Sequence, residues 1–123
     1  MSSNPFSIEQ AALDALPIGT LILSPENRVA FWNSWLFRST GISPNKIHDK
    51  PLFEFFDIPN RGKLCLQWAR QHNRPYILSQ RIHGYFLPIP FPSDHISGFS
   101  HMQQETHIIP IPSMPGFLLI TIR

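Results

Sequence analysis

A chain of 123 residues, 42% hydrophobic and with ten phenylalanines, carries enough apolar matter for one well-packed core and is too short for two domains. Its formal charge of +2 is scattered from Arg28 to Arg123, a poor footprint for nucleic acid. The longest apolar runs, such as Phe117 to Ile120, fall far short of the roughly 20 residues that cross a bilayer, so no membrane insertion is expected.

Thirteen prolines sit between apolar runs, where they punctuate short elements. The start Met1-Ser2-Ser3-Asn4 lacks the basic and apolar regions of a signal peptide. Ser7-Ile8-Glu9-Gln10 has the form of a capping box, and the helix it opens carries Ile8, Ala12, Leu13 and Leu16 as an apolar stripe before Pro17 stops it. Gly19 to Leu23 and Val29 to Trp32 read as two strands of a hairpin about the turn Ser24-Pro25-Glu26-Asn27. Asn33 then caps a short helix over Ser34 to Thr40, which Gly41 ends in the left-handed position. Ser43-Pro44 and Lys50-Pro51 open two more brief helices, the second rich in aromatics.

From Asn60 to about Asn73 a longer helix is expected, with Lys63, Gln67, Arg70 and Arg74 on a polar stripe and Cys65, Trp68, Ala69 and His72 on the apolar one. Tyr76 to Ile82, Gln104 to Ile111 and Phe117 to Ile122 read as strands. Between the first two of these, Gly84 to His101 reads as a long excursion with one further strand possible at Tyr85 to Leu87. The order predicts an α+β fold in which helices cover one face of an antiparallel sheet of about five strands. Phe117 and Leu119 alternate with Leu118, Ile120 and Ile122, so the second face of the sheet is also expected to be covered, by the amino-terminal helix or a second subunit.

The run Leu13-Asp14-Ala15-Leu16-Pro17-Ile18-Gly19-Thr20-Leu21-Ile22-Leu23, followed by Asn27-Arg28-Val29-Ala30-Phe31-Trp32-Asn33, resembles the opening of PAS domains. Thr40-Gly41-Ile42-Ser43-Pro44 and Lys50-Pro51-Leu52-Phe53-Glu54-Phe55-Phe56 continue the likeness, which extends over nearly the whole chain. The closing strands look like those of PAS modules found ahead of bacterial diguanylate cyclase (GGDEF) or histidine kinase domains. Those modules usually run on into an Asp-x-Thr motif and a helical linker, where this chain stops at Arg123. The resemblance implies a sensory input module detached from its output domain, divided into a capping or dimerisation helix over 1–17 and a PAS domain over 18–123.

It also implies a candidate cofactor pocket lined by Phe53, Phe56, Cys65, Trp68, His72 and Gln104. Some haem-binding PAS proteins take an axial histidine from the long helix, the place of His72, against the ordinary reading of a capping or solvent-exposed histidine. Flavin is the other cofactor considered, and neither is favoured over none, since such aromatics usually fill a core. The Asn-Cys-Arg-Phe-Leu-Gln motif of the light-sensing flavin subclass is absent, which leaves Cys65 as a small buried hydrophobe. Glu105 and His107 share one strand face, but no third metal ligand can be named beside them, and His95 and His101 fall in the excursion. Met102, Gln104, Thr106 and Ile108 form the other face, suited to a pocket or a helix-packed core.

No nucleophile elbow, phosphate-binding glycine loop, cysteine-pair zinc motif or carboxylate pair is present, so catalysis is not expected. The lone cysteine excludes an internal disulfide and fits the reducing cytoplasm. Two functions remain. One is a ligand- or redox-responsive sensory domain that passes its signal to an output domain elsewhere in the parent protein. The other is a cofactor-free PAS interaction module that forms a homodimer.

Overall fold

The computed structural model describes residues 7–79, 86–89 and 104–123. Helix α1 (Ile8–Ala15) opens at a complete capping box: Gln10 N–H donates to Ser7 Oγ at 3.1 Å and Ser7 N–H to Gln10 Oε1 at 3.2 Å. The chain turns extended at Leu16, and none of the helix is buried; Ile8 is 86% exposed.

Strands β1 (Gly19–Leu23), β2 (Val29–Trp32), β3 (Tyr76–Ser79), β4 (Glu105–Pro110) and β5 (Leu118–Ile122) form one antiparallel sheet in the order β2-β1-β5-β4-β3. Between β2 and β3 run α2 (Ser34–Thr40), α3 (Pro44–Ile47), α4 (Leu52–Phe55) and α5 (Asn60–His72). Local chemistry sets their ends. Asn33 accepts from Leu36 N–H and Ser43 from Lys46 N–H, while Gly41 and Asn73 close α2 and α5 at φ of 78° and 49°.

One face of the sheet is the core face. Leu21, Leu23, Trp32, Leu78, Thr106, Ile108, Leu118, Ile120 and Ile122 are buried there, with Leu36, Ile47, Leu52, Leu66 and Ala69 of the helices. The opposite face carries a row that the register lines up across four strands, Phe31-Ile22-Leu119-Ile109, and this row is only part-buried. The expected cover by the amino-terminal helix needs correction. Asp14 accepts from Ser34 N–H and Oγ at 2.9 Å and Asn33 Nδ2 donates to Leu13 O at 3.2 Å, which holds α1 at the start of α2 instead.

Of the segment 84–101, only 86–89 belongs to the described residues. Phe86 and Leu87 do not form the further strand considered there, because a side chain takes both of their N–H groups.

Candidate functional site

The interior between α5 and β4 holds two polar side chains out of water, Gln104 and Thr106. On the α5 side, Gly62, Cys65, Leu66 and Ala69 recur at helical spacing and are buried. Phe86, Leu87 and Ile89 are at most 1% exposed and belong to the same buried cluster, with Phe86 against Gly62. The absence of a side chain at Gly62 makes room for the Phe86 ring, since a Cβ there would stand 3.1 Å from Phe86 Cδ1.

What secures Phe86–Ile89 is Gln104, itself only 4% exposed. A buried amide must find partners for both its ends, and so must backbone N–H groups without a ladder. Gln104 Oε1 accepts from Phe86 N–H at 3.0 Å and Leu87 N–H at 3.2 Å, and Gln104 Nε2 donates to Leu87 O. One side chain thus substitutes for a strand partner. Two positions along β4's core face, the hydroxyl of Thr106 is buried and, among the described residues, has no hydrogen-bond partner.

The six residues read from the sequence as a pocket divide among four places. Cys65 and Gln104 face this interior; burial pushes the Cys65 thiol pKa up, opposed by the charge of Arg61, which disfavours the reactive thiolate. Phe56 stacks on Trp32 at 5.9 Å, and Phe53 lies part-buried beneath the Lys63 ammonium at 5.0 Å from the ring centre. Trp68 and His72 require correction. The buried stripe is Gly62, Cys65, Leu66 and Ala69, and at 100° per residue Trp68 lies about 110° round from its centre. It is exposed and tilted against Tyr76, as is His72 in the last turn, whose Nδ1 lies 3.0 Å from the Tyr76 hydroxyl. A haem in the α5–β4 interior would find no histidine from α5, and its space is taken by Phe86 and its neighbours.

Sequence reasoning missed Phe86, Leu87 and Ile89 as interior residues. Their apolar run was visible, but its destination depends on a glutamine 17 and 18 residues further along the chain.

The Glu105–His107 pair is real: the carboxylate and His107 Nε2 lie 3.0 Å apart. The His107 hydrogen bond holds the Glu105 carboxyl below its ordinary pKa; desolvation opposes this, and the charges of His107 and Arg123 add to the lowering. Among the described residues no group of three His, Cys, Asp or Glu side chains could hold a metal, while His95 and His101 lie outside the described residues. No described helix is long and apolar enough to cross a membrane.

Helices packed on one face of a five-stranded antiparallel sheet in this order make the PAS fold, as the resemblance of the opening residues led one to expect. Solved structures agree. The PAS domain of nitrogen regulation protein NR(II) from Vibrio parahaemolyticus superposes with a TM-score of 0.66 at 16% identity, over 96% of this chain and 98% of that one. The photoactive yellow protein domain of the sensor histidine kinase Ppr from Rhodospirillum centenum gives 0.65 at 15% identity, over 93% and 91%. The PAS domain of the Cronobacter turicensis quorum-sensing receptor RpfR, solved in complex with BDSF, gives 0.63 at 9% identity, over 87% and 92%. No protein-family model matches the sequence, and no curated protein matches it.

Proposed function

We propose that this chain is a sensory input domain that binds a small molecule in the α5–β4 interior and relays its presence to an output domain of the parent protein. The observation that supports it is the way Phe86–Ile89 is held. An apolar segment tied into a core by one glutamine, two residues along the chain from a threonine hydroxyl without a partner among the described residues, is a replaceable occupant. A ligand with an apolar body and one or two polar groups would fill the volume of Phe86, take over the Gln104 amide and pair with Thr106. Exchange of segment for ligand alters what packs on α5, and the two packings are the states whose balance a signal shifts.

A cytoplasmic setting and an output of the histidine kinase or diguanylate cyclase kind belong to this reading; the likeness to domains of sensor histidine kinases favours the first kind. Regulation without catalysis is part of it too. The test is native mass spectrometry of the protein as purified from cells, with Phe86→Ala beside the wild type. A bound small molecule, retained more strongly by the variant whose occupant is trimmed, is the expected result. Mass spectra free of any adduct in both, with no ligand stabilising either in a metabolite screen, would remove the sensory reading.

A cofactor-free dimerisation module is the second reading, favoured by the filled interior and by two apolar features: the part-buried row Phe31-Ile22-Leu119-Ile109 and the exposed Ile8 of α1. Deletion of 1–16 should then convert dimers to monomers in sedimentation. An unchanged dimer would count against the helix as the interface.

A further inference from the structure

Helix α5 has a second working side. Lys63, Gln67 and Arg70 point away from the core into a cleft of about 550 Å³, walled by Phe53 of α4, Leu66 and Asn27 of the β1–β2 turn. The volume is that of a small-molecule site. Two cations line it and no carboxylate does.

The Arg70 guanidinium is the unusual group. Its Nε donates to Gly116 O and its Nη2 to Ser24 O, each at 2.8 Å, so its position is fixed by two carbonyls from two different turns. It is part-buried, and burial pulls its pKa down against the distant attraction of Glu26. Among the described residues it has no ion-pair partner within 4.0 Å, and neither has Lys63. A guanidinium has five N–H donors, and carbonyl dipoles compensate a desolvated charge less well than an anion does. Because the group is already immobilised, an anion meeting its free N–H groups would sacrifice little side-chain entropy. The part-buried Phe53 ring, over which the Lys63 ammonium stands at 5.0 Å, adds an apolar wall that an inorganic ion could not use.

We propose that this cleft binds a small organic anion, its carboxylate or phosphate on Arg70 and Lys63 and its apolar body against Phe53. The site is separate from the α5–β4 interior and does not rest on the sensory reading of that interior.

Arg70 also holds the fold together, so the test leaves it intact. Amide and Arg70 Nε–H shifts of the whole chain are followed by NMR during titration with benzoate, phenyl phosphate, benzyl alcohol and inorganic phosphate. Saturable shifts at Lys63, Gln67 and Arg70 are expected with one or both aromatic anions, and the tighter of the two tells carboxylate from phosphate. Benzyl alcohol, without charge, and inorganic phosphate, without an apolar body, should bind at least about tenfold more weakly, the equivalent of one lost contact. Lys63→Glu and Gln67→Glu, both at exposed positions, should each weaken the aromatic anion by a similar factor while Tm stays near that of the wild type. The proposal falls if neither aromatic anion gives saturable shifts there, if inorganic phosphate or benzyl alcohol binds equally well, or if both variants bind as the wild type does. Shifts confined to Cys65, Gln104 and Thr106 would also overturn it, and would speak for the interior site instead.

Discussion

Arg70 Nε donates to the carbonyl of Gly116 at 2.8 Å, across 46 residues of sequence, while its Nη2 donates to Ser24. The contact fastens the second half of α5 to the turns after β1 and before β5, two neighbouring strands of the sheet. Arg70→Met should therefore cost about 1.5–3 kcal/mol in urea unfolding, the range for hydrogen bonds to a charged group. Arg70→Lys should recover less than half of that, because one ammonium cannot span two carbonyls from the same stem. Full recovery by lysine would show that charge alone matters.

Gly116 is constrained from its own side. Its φ is 83°, and a Cβ would lie 2.7 Å from Cγ of Pro25, whose ring has little freedom to give way. Gly116→Ala should lower stability by about 1–3 kcal/mol by the cost of a strained backbone. Thermal unfolding checks it, and a neutral result would mean that the two turns separate easily.

Asn33 is wholly buried, and all its polar capacity is engaged. Its Oδ1 accepts from Thr20 N–H at 3.1 Å and Leu36 N–H at 3.2 Å, and Nδ2 donates to Leu13 O and Ile18 O at 3.2 and 2.9 Å. One residue thus caps α2, starts β1 and anchors α1. Asn33→Ala leaves backbone donors buried without partners and should cost about 2–4 kcal/mol, more than the loss of an ordinary cap. Asn33→Asp keeps the acceptor and should restore the α2 cap while failing to hold Leu13 and Ile18; hydrogen exchange in the two segments distinguishes these effects.

Glu105 provides a pH test with a definite sign. Its carboxyl is held below its ordinary pKa by His107, so the pair's contribution is present above the ordinary carboxylate range and is lost as the pH falls through the lowered folded value. In a side-chain NMR titration, His107→Ala should move the Glu105 midpoint upward. A midpoint that stays in place would assign the lowering to Arg123 alone.

What the sequence disclosed is what neighbouring residues decide. The Ser7–Gln10 box, the Asn33 cap, the Gly41 and Asn73 ends and the Ser43-Pro44 start are local chemistry, and the strands between them follow from alternation. Cys65 and Gln104 were placed inward by the same periodicities. Trp68 and His72 read inward by the same periodicity and lie outward in the structure, because aromatic and amphipathic residues satisfy an apolar stripe in sequence while Trp68 packs on Tyr76 and His72 meets its hydroxyl at the sheet edge in space. Phe86–Ile89 was hidden for a different reason: Pro88 and its proline-rich surroundings have the composition of a surface loop, and only the distant amide of Gln104 makes burial of its N–H groups tolerable.

Native-state hydrogen exchange at the Phe86 and Leu87 amides tests the replaceable-occupant account most directly. These N–H groups should open at a free energy well below that of Ile120 and Ile108 in the central strands, since one side chain rather than a ladder retains them. Protection equal to that of Ile120 would make the segment a permanent part of the core and leave the α5–β4 interior no site to offer.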